Sequence, residues 1–312
     1  MGVLSAAPVR AEGPRAPSLP PEPKATAPNE PPAVPNPGPE IVGGHPKSGE
    51  QPLPPVRWRW GHDTIADYVI GGATGAITLA AAIVPPLPVH HLDGGILFDN
   101  AVRNAVRPAS IQVRYAFRDA SNVELSVAAT WPFFADALTS VWWYHGDRDT
   151  AQAMAVLDLE TLAIAGAVQG VTNVVVSRPR PYASSCGTPE LPAAALDCGP
   201  TTEYRSFFSG HATFTFTAAA LVCLNHSDTD LLGSPWDALT CGGGYLLATT
   251  TSVFRLFADL HYSSDVIAGA LVGTLIGYGV PYLHRHLGGA DGGTALQLVP
   301  SRNGLGLLVS FQ

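Results

Sequence analysis

The sequence predicts an all-α protein, a six-helix bundle followed by a short C-terminal β-hairpin. Three observations lead to this prediction: apolar segments of helical length recur, residues suited to N-caps precede several of them, and the period of the apolar residues changes near the C-terminus. Of the 312 residues, 46% are hydrophobic and 13% are charged, so the chain can bury a large core. We therefore expect one helical domain with terminal appendages.

Six apolar segments account for the predicted helices, and most of them are rich in Ala, Gly and Thr. They cover residues 65–84, 123–144, 151–176, 211–224, 240–257 and 263–284. Asp63, Ser121 and Ser209 are suited to cap three of these helices, because their side-chain oxygens can accept from free backbone N–H groups. Helices that follow one another in this way pack as an antiparallel bundle.

The composition divides the chain into three expected regions. Residues 1–57 are rich in Pro and contain no Phe, Trp or Tyr, which is typical of a disordered tether. Residues 58–286 form the helical domain. Residues 287–312 form an extension in which two β-prone runs flank Asn303-Gly304, a sequence typical of a tight hairpin turn.

The four cysteines form two local pairs, Cys186 with Cys198 and Cys223 with Cys241. Each pair brackets a stretch rich in Pro, Gly or Asp, which favours disulfides and an oxidising compartment. The alternative is four buried thiols. Two disulfides at opposite ends would be difficult to reconcile with six membrane spans, so we expect a domain of the bacterial envelope, periplasmic or attached to the membrane, with a periplasm-facing site.

The net charge of −8 offers no basic surface for nucleic acid, and this class of partner is excluded. No protein partner is predicted either. Both lysines, Lys24 and Lys47, lie near the N-terminus, so every later cation is an arginine or a protonated histidine.

Three separated motifs carry polar residues at predicted helix ends. The motif NVVVSRPRPY, residues 173–182, closes the third segment, and FFSGH, residues 207–211, opens the fourth. The motif RLFADLHYSSD, residues 255–265, joins the fifth segment to the sixth. Antiparallel packing brings all three motifs to one end of the bundle. The residues that converge there are Arg178, Arg180, Ser209, His211, Arg255, His261 and Asp265.

This set of side chains suits the binding and transfer of a phosphate group. Guanidiniums match a tetrahedral oxyanion, and the amides of Gly210 and His211 at a helix N-terminus add donors. His261 and Asp265 lie one helical turn apart, so the carboxylate can hold one imidazole nitrogen and leave the other free to attack phosphorus. His211 can protonate the leaving oxygen.

With these motifs the sequence resembles the phosphatidic acid phosphatase type 2 superfamily, which includes bacterial acid phosphatases and vanadium haloperoxidases. The resemblance covers residues 62–286 and is strongest over 173–277, where HYSSDVIAGALVG is especially typical. The family pattern is Lys-x6-Arg-Pro, then Pro-Ser-Gly-His, then Ser-Arg-x5-His-x3-Asp. It implies a metal-independent phosphatase with His261 as the phosphohistidine-forming nucleophile and His211 as general acid. The other residues that it carries over are Arg180, Ser209, Gly210, Arg255 and Asp265.

The chain departs from this pattern at three positions. Asn173 stands where the family has lysine, Phe208 stands before Ser-Gly-His, and Phe254 stands before the third-motif arginine. We expect the two phenylalanines to alter packing only. Asn173 removes a cation from the phosphate site, and Arg178 is the expected local substitute. One lost charged contact weakens anion binding by about 1.5–3 kcal/mol.

The predicted function is therefore a metal-independent phosphomonoesterase without a cofactor, which acts on lipid phosphates or small phosphomonoesters. Two alternatives stay open. A non-catalytic relative would keep the bundle as an anion-binding or scaffolding module, and a haloperoxidase would bind vanadate in the same cradle with His261 as its ligand. The identity of the leaving group is not predicted.

Overall fold

The computed structural model describes residues 56–61, 63–287, 294–301 and 304–311, and eight α-helices lie in this part of the chain. A π-helical segment, Pro132–Tyr144, directly continues α3. The helices are α1 (Ile65–Ile83), α2 (Asp99–Val106), α3 (Ile111–Trp131), α4 (Arg148–Val176), α5 (Pro200–Glu203), α6 (Gly210–Thr229), α7 (Trp236–Phe257) and α8 (Ser263–Leu287).

The predicted helical class is confirmed, and the six predicted segments correspond to α1, the α3 and π-helical pair, α4, α6, α7 and α8. The short α2 and α5 form in stretches without an apolar pattern, where loops were expected. The described residues therefore contain eight α-helices and not six. Strands β1 (Thr294–Ser301) and β2 (Gly304–Phe311) pair antiparallel, with Thr294 opposite Phe311. The predicted turn residue Asn303 and the predicted N-terminal tether up to residue 55 lie outside the described residues.

Two of the three predicted caps lie elsewhere. Thr64, not Asp63, is the N-cap of α1 and exchanges bonds with Asp67. Ser121 lies inside α3, whose N-cap is Ser110. The prediction started this helix too late because its first half is polar and shows no apolar pattern. Ser209 is the N-cap of α6, as predicted, and its Oγ accepts from the Ala212 N–H at 3.4 Å.

Helix α6 is the centre of the bundle and packs against α3, α4, α7 and α8. Its contact with α8 is close because Gly269, Gly273 and Gly277 recur every fourth residue along α8. A Cβ added at Gly269 would lie 2.6 Å from the Ser209 carbonyl oxygen, and one at Gly277 would lie 2.6 Å from the Ala220 Cβ. The absent side chains therefore fix how near the two helices approach.

The helices turn apolar faces outward and polar groups inward. Large exposed side chains include Leu79 on α1, Leu246 on α7 and Leu275 on α8, whereas Asp158 and Arg178 are buried. Three segments, Ile65–Ile83, Arg148–Ser185 and Ser263–His286, are long and apolar enough to cross a membrane by length and composition. This distribution suits a bundle surrounded by lipid.

Both predicted disulfides, Cys186–Cys198 and Cys223–Cys241, are present, so the alternative of four free thiols is wrong. The first closes the loop between α4 and α6. The second disulfide does not close a loop at its two ends, because Cys223 lies within α6 and Cys241 lies within α7. It therefore joins two packed helices inside the bundle.

Candidate active site

The three motifs meet at one end of the bundle around a cavity of about 270 Å³. The end of α4, the start of α6 and the α7–α8 junction bring their polar residues there, as the antiparallel packing predicts. Six of the predicted site residues line the cavity: Asn173, Arg180, Gly210, His211, Arg255 and His261. Arg178, Ser209 and Asp265 are fully buried behind this lining.

His261 is held in one orientation by a backbone carbonyl. Its Nδ1 lies 2.8 Å from the carbonyl oxygen of Ser206, which can only accept, so Nδ1 carries the proton and Nε2 has a free lone pair. The nearest Asp265 oxygen is 3.9 Å from Nδ1. The predicted direct bond between His261 and Asp265 is thus replaced by the Ser206 carbonyl, with the carboxylate one step away.

Asp265 connects the pieces that surround His261. Its Oδ2 accepts from the Ser206 hydroxyl at 2.5 Å and from the Tyr262 N–H at 2.9 Å, and its backbone carbonyl accepts from the Ser209 N–H at 3.0 Å. Its Oδ1 accepts from Arg178 at 2.5 Å. Asp265 therefore fixes the loop before α6, the start of α8 and Ser206, the backbone partner of His261.

Burial and the nearby arginines keep both histidines neutral. Burial lowers the pKa of His261 to about 4, assisted by Arg180 and Arg255 and opposed by Asp265. Burial also lowers the pKa of His211 to about 2, with Arg255 as the next cause. Near pH 7 both imidazoles are therefore neutral, with one N–H and one free lone pair each, which suits His261 as a nucleophile.

His211 is oriented by Asn122 on α3. Its Nε2 lies 2.8 Å from Asn122 Oδ1, an acceptor, so Nε2 carries the proton and Nδ1 has the free lone pair. The same amide oxygen accepts from Arg255 Nη1 at 3.4 Å. Asn122 thus joins His211 to Arg255, two residues that line the cavity.

Arg180 and Arg255 present the positive charge of the pocket. Arg255 also donates to the Ser121 hydroxyl at 3.2 Å, and its Nε is buried without a hydrogen-bond partner among the described residues. Burial lowers the pKa of Arg255 and the neighbouring Arg180 lowers it further. An anion between the two guanidiniums would relieve this repulsion and supply the missing acceptor.

Arg178 does not take the place that was predicted for it. Its guanidinium is completely buried and donates to Asp99 at 2.8 Å, to Asp265 at 2.5 Å and to the Gly94 carbonyl at 2.6 Å. Its donors are therefore used in the interior. The geometry assigns Arg178 to holding Asp265, and the expectation that it replaces the missing lysine is corrected.

Ser209 and Gly210 contribute in different ways. The hydroxyl of Ser209 is fully buried and caps α6, so its predicted contact with phosphate is not seen in the placement of the side chain. Gly210 lines the cavity, and a Cβ there would lie 3.2 Å from Gln169. A glycine keeps the first N–H groups of α6 open to an anion.

Asn173 lies in the cavity wall as the motif predicts, but it faces the loop before α6. Its Nδ2 donates to the carbonyl oxygens of Phe208 at 3.4 Å and Arg205 at 3.5 Å. Its Oδ1 is buried without a hydrogen-bond partner in the described part of the chain. Asn173 therefore supports the loop with its amide and brings no charge.

Four residues of the site were missed from the sequence: Ser121, Asn122, Arg205 and Ser206. Ser121 and Asn122 directly precede the apolar segment 123–144, where the pattern indicates a helix cap and gives no sign of partners in the interior. Ser206 acts through its carbonyl, which no side-chain pattern reveals. Arg205 lies two residues before the FFSGH motif. The sequence favoured Arg178 as the substitute for the missing lysine because Arg178 lies inside a motif.

The chain matches the PAP2 superfamily over residues 155–288, which include all three motifs. It is 36% identical over 76 residues to a lipid A 1-phosphatase of Porphyromonas gingivalis. That alignment covers 24% of this chain and 16% of the relative. No solved structure matches the chain significantly. The resemblance that the motifs indicate is thus confirmed.

Proposed function

We propose that this chain, whose residues 155–288 match the PAP2 superfamily, is a phosphatase that acts on lipid phosphates through a phosphohistidine on His261. The observation that carries the proposal is the bond between His261 Nδ1 and the Ser206 carbonyl. It leaves the lone pair of Nε2 available in a cavity that is lined by three arginines, Arg180 and Arg255 among them. A fixed, neutral imidazole beside an anion site is suited to attack phosphorus.

In the first step His261 Nε2 attacks the phosphorus atom and the phosphorus–oxygen bond of the ester breaks. Arg180, Arg255 and the N–H groups at Gly210 and His211 bind the phosphoryl oxygens as charge develops. His211 passes a proton to the leaving oxygen and releases the alcohol. His211 is neutral before the substrate binds. The proton that it passes on is therefore taken from the phosphate group of the substrate monoanion.

In the second step a water molecule attacks the phosphohistidine. His211, now neutral, takes a proton from this water, and the phosphorus–nitrogen bond breaks to release inorganic phosphate. The electron pair returns to Nε2, His211 passes its proton to the departing phosphate, and both histidines return to their neutral state. Both steps use side chains of this chain alone, so we expect the activity to persist in EDTA.

The outward apolar faces support a lipid as the rest of the substrate. A bundle that lies in a membrane presents the cavity to molecules that are themselves anchored in lipid. The lipid A 1-phosphatase similarity points in the same direction. Small phosphomonoesters offer the same phosphate end and are expected to react more slowly, because they gain no local concentration from the membrane.

The test is phosphate release from phosphatidic acid in detergent and from an aryl phosphate, with EDTA, by the wild type and by His261→Ala. We expect the wild type to release phosphate and His261→Ala to be at least a thousandfold slower. His226→Ala, a buried histidine outside the cavity, serves as the control. Phosphate binding without turnover of either substrate would instead indicate the non-catalytic alternative.

A further inference from the structure

Arg205 places a third guanidinium at the pocket. It lies in the loop between α5 and α6, and it lines the same cavity as Asn173, Arg180 and Arg255. Its backbone carbonyl accepts from Arg180 Nε at 3.3 Å, so the two arginines are neighbours. Nothing in the motif pattern assigns this residue.

The guanidinium of Arg205 is anchored to the end of α1 and to its own loop. Nε donates to the Thr201 carbonyl at 2.7 Å, Nη1 to Ala81 at 2.9 Å, and Nη2 to Val84 at 2.5 Å and Ala82 at 3.5 Å. These contacts account for four of its five N–H bonds and leave one on Nη1. The anchoring holds a positive charge in place at low conformational cost.

The charge of Arg205 is not balanced by a carboxylate in the described contacts. Its side chain donates to carbonyl oxygens only, and both burial and the neighbouring Arg180 lower its pKa. Asn173, beside it, is neutral. A half-buried guanidinium next to a second one is stabilised by an anion between them.

We propose that Arg205 binds the phosphate group in this pocket and supplies the positive charge that Asn173 does not. The proposal rests on the proposed function for the identity of the anion as a phosphate ester. It makes Arg205 a substrate-contacting residue on the α1 side of the cavity, opposite Arg255 on α7. Its expected effect is on the affinity for phosphate and on KM.

The first test measures binding of inorganic phosphate by calorimetry to the full chain in detergent. We expect Arg205→Gln to weaken binding by about tenfold to a hundredfold, and Arg205→Lys to recover part of the loss. Arg107→Gln is the matched control, because Arg107 is also a partly buried, multiply bonded arginine, but it binds Asp259 and Glu190 outside the cavity. Its phosphate affinity should equal that of the wild type.

The second test separates charge from the anchoring of α1. Asn173→Lys introduced into Arg205→Gln returns a cation to the cavity without restoring the bonds to α1. We expect the double variant to recover at least half of the lost affinity on a logarithmic scale. Asn173→Lys alone is the reference. If the lysine raises the affinity by the same factor in the wild type and in Arg205→Gln, Arg205 has no charge role that the lysine replaces, and that result would overturn the proposal.

A measurement on the wild type avoids any folding defect of the variants. Phenylglyoxal modifies accessible guanidiniums, and mass spectrometry locates the adducts. We expect phosphate to protect Arg205 but not Arg107; equal modification of Arg205 with and without phosphate would contradict the proposal. If phosphate protects Arg205 but the chain hydrolyses no phosphomonoester, the role of Arg205 stands and the proposed reaction is rejected. If the wild type binds no phosphate, both are rejected.

Discussion

His211 and His261 together determine how turnover should depend on pH. In the proposed mechanism His261 must be neutral to attack, so kcat/KM should fall as the pH drops through about 4, where its imidazole takes up a proton. The pKa of His211 is lower still, at about 2, so free His211 holds no proton to donate. The proton comes with the substrate monoanion, and kcat/KM should fall again above the second pKa of the substrate, about 6 for an alkyl phosphate.

Two substrates check this mechanism. An aryl phosphate has a lower second pKa than an alkyl phosphate, so the basic limb of its kcat/KM profile should lie at lower pH while the acidic limb stays unchanged. If the basic limb had the same pKa for both substrates, the proton would belong to an enzyme group and the neutral state of free His211 would be refuted.

The sequence identified six of the fourteen residues that line the cavity, including both histidines and two of the three arginines, because charged residues and histidines at helix ends have few other purposes in an apolar chain. It failed where a role depends on which way a side chain points. Arg178 and Arg180 are two residues apart, yet one is buried against Asp99 and the other lines the cavity. It also failed at Ser206, whose carbonyl holds His261 regardless of its side chain.

At the scale of elements, the contact between α6 and α8 positions both halves of the site. Gly273→Ala should destabilise the fold by about 1–3 kcal/mol and lower kcat/KM, because its methyl group would press on the backbone of Thr213. Gly279→Ala on the same helix has open space around it and should be neutral or stabilising by up to about 1 kcal/mol. Thermal unfolding and phosphate release of both variants measure the difference.

Equal effects of the two alanines would show that helix propensity, rather than the approach of α8 to α6, dominates.

The helices themselves were predictable from apolar segments, and α4, α6, α7 and α8 begin or end within a few residues of the expected positions. The start of α3 was not predictable, since its first turns carry Arg114, whose partner Glu190 lies on a distant loop.

At the scale of the whole molecule, the outward apolar faces predict contact with lipid. Trp142, Trp143 and Trp236 are exposed at the end of the bundle away from the cavity, a position typical of aromatic side chains at a membrane interface. In liposomes, lipids brominated near the headgroup should quench tryptophan fluorescence more strongly than lipids brominated near the chain ends. Absence of quenching by either lipid would contradict membrane contact.

The position of the second disulfide changes the argument about localisation. The sequence suggested that Cys223 and Cys241 mark an exposed loop, which would place an oxidising solution at the end away from the cavity. Because both residues lie within helices of the bundle, the second disulfide joins two packed helices and does not mark an exposed loop in an oxidising solution at that end. The first disulfide lies at the cavity end.

The network around Asp265 also bears on how such a protein can diverge. A change at this carboxylate would release Arg178, Ser206 and the start of α8 at once, so no single substitution there alters reactivity while leaving the architecture intact. On the opposite side of the cavity, Asn173 and Arg180 both donate to the backbone carbonyl of Arg205, which any residue at position 205 would keep. New substrate preferences can therefore accumulate there through changes of the side chains at 173 and 205, while the network around Asp265 is inherited as a block.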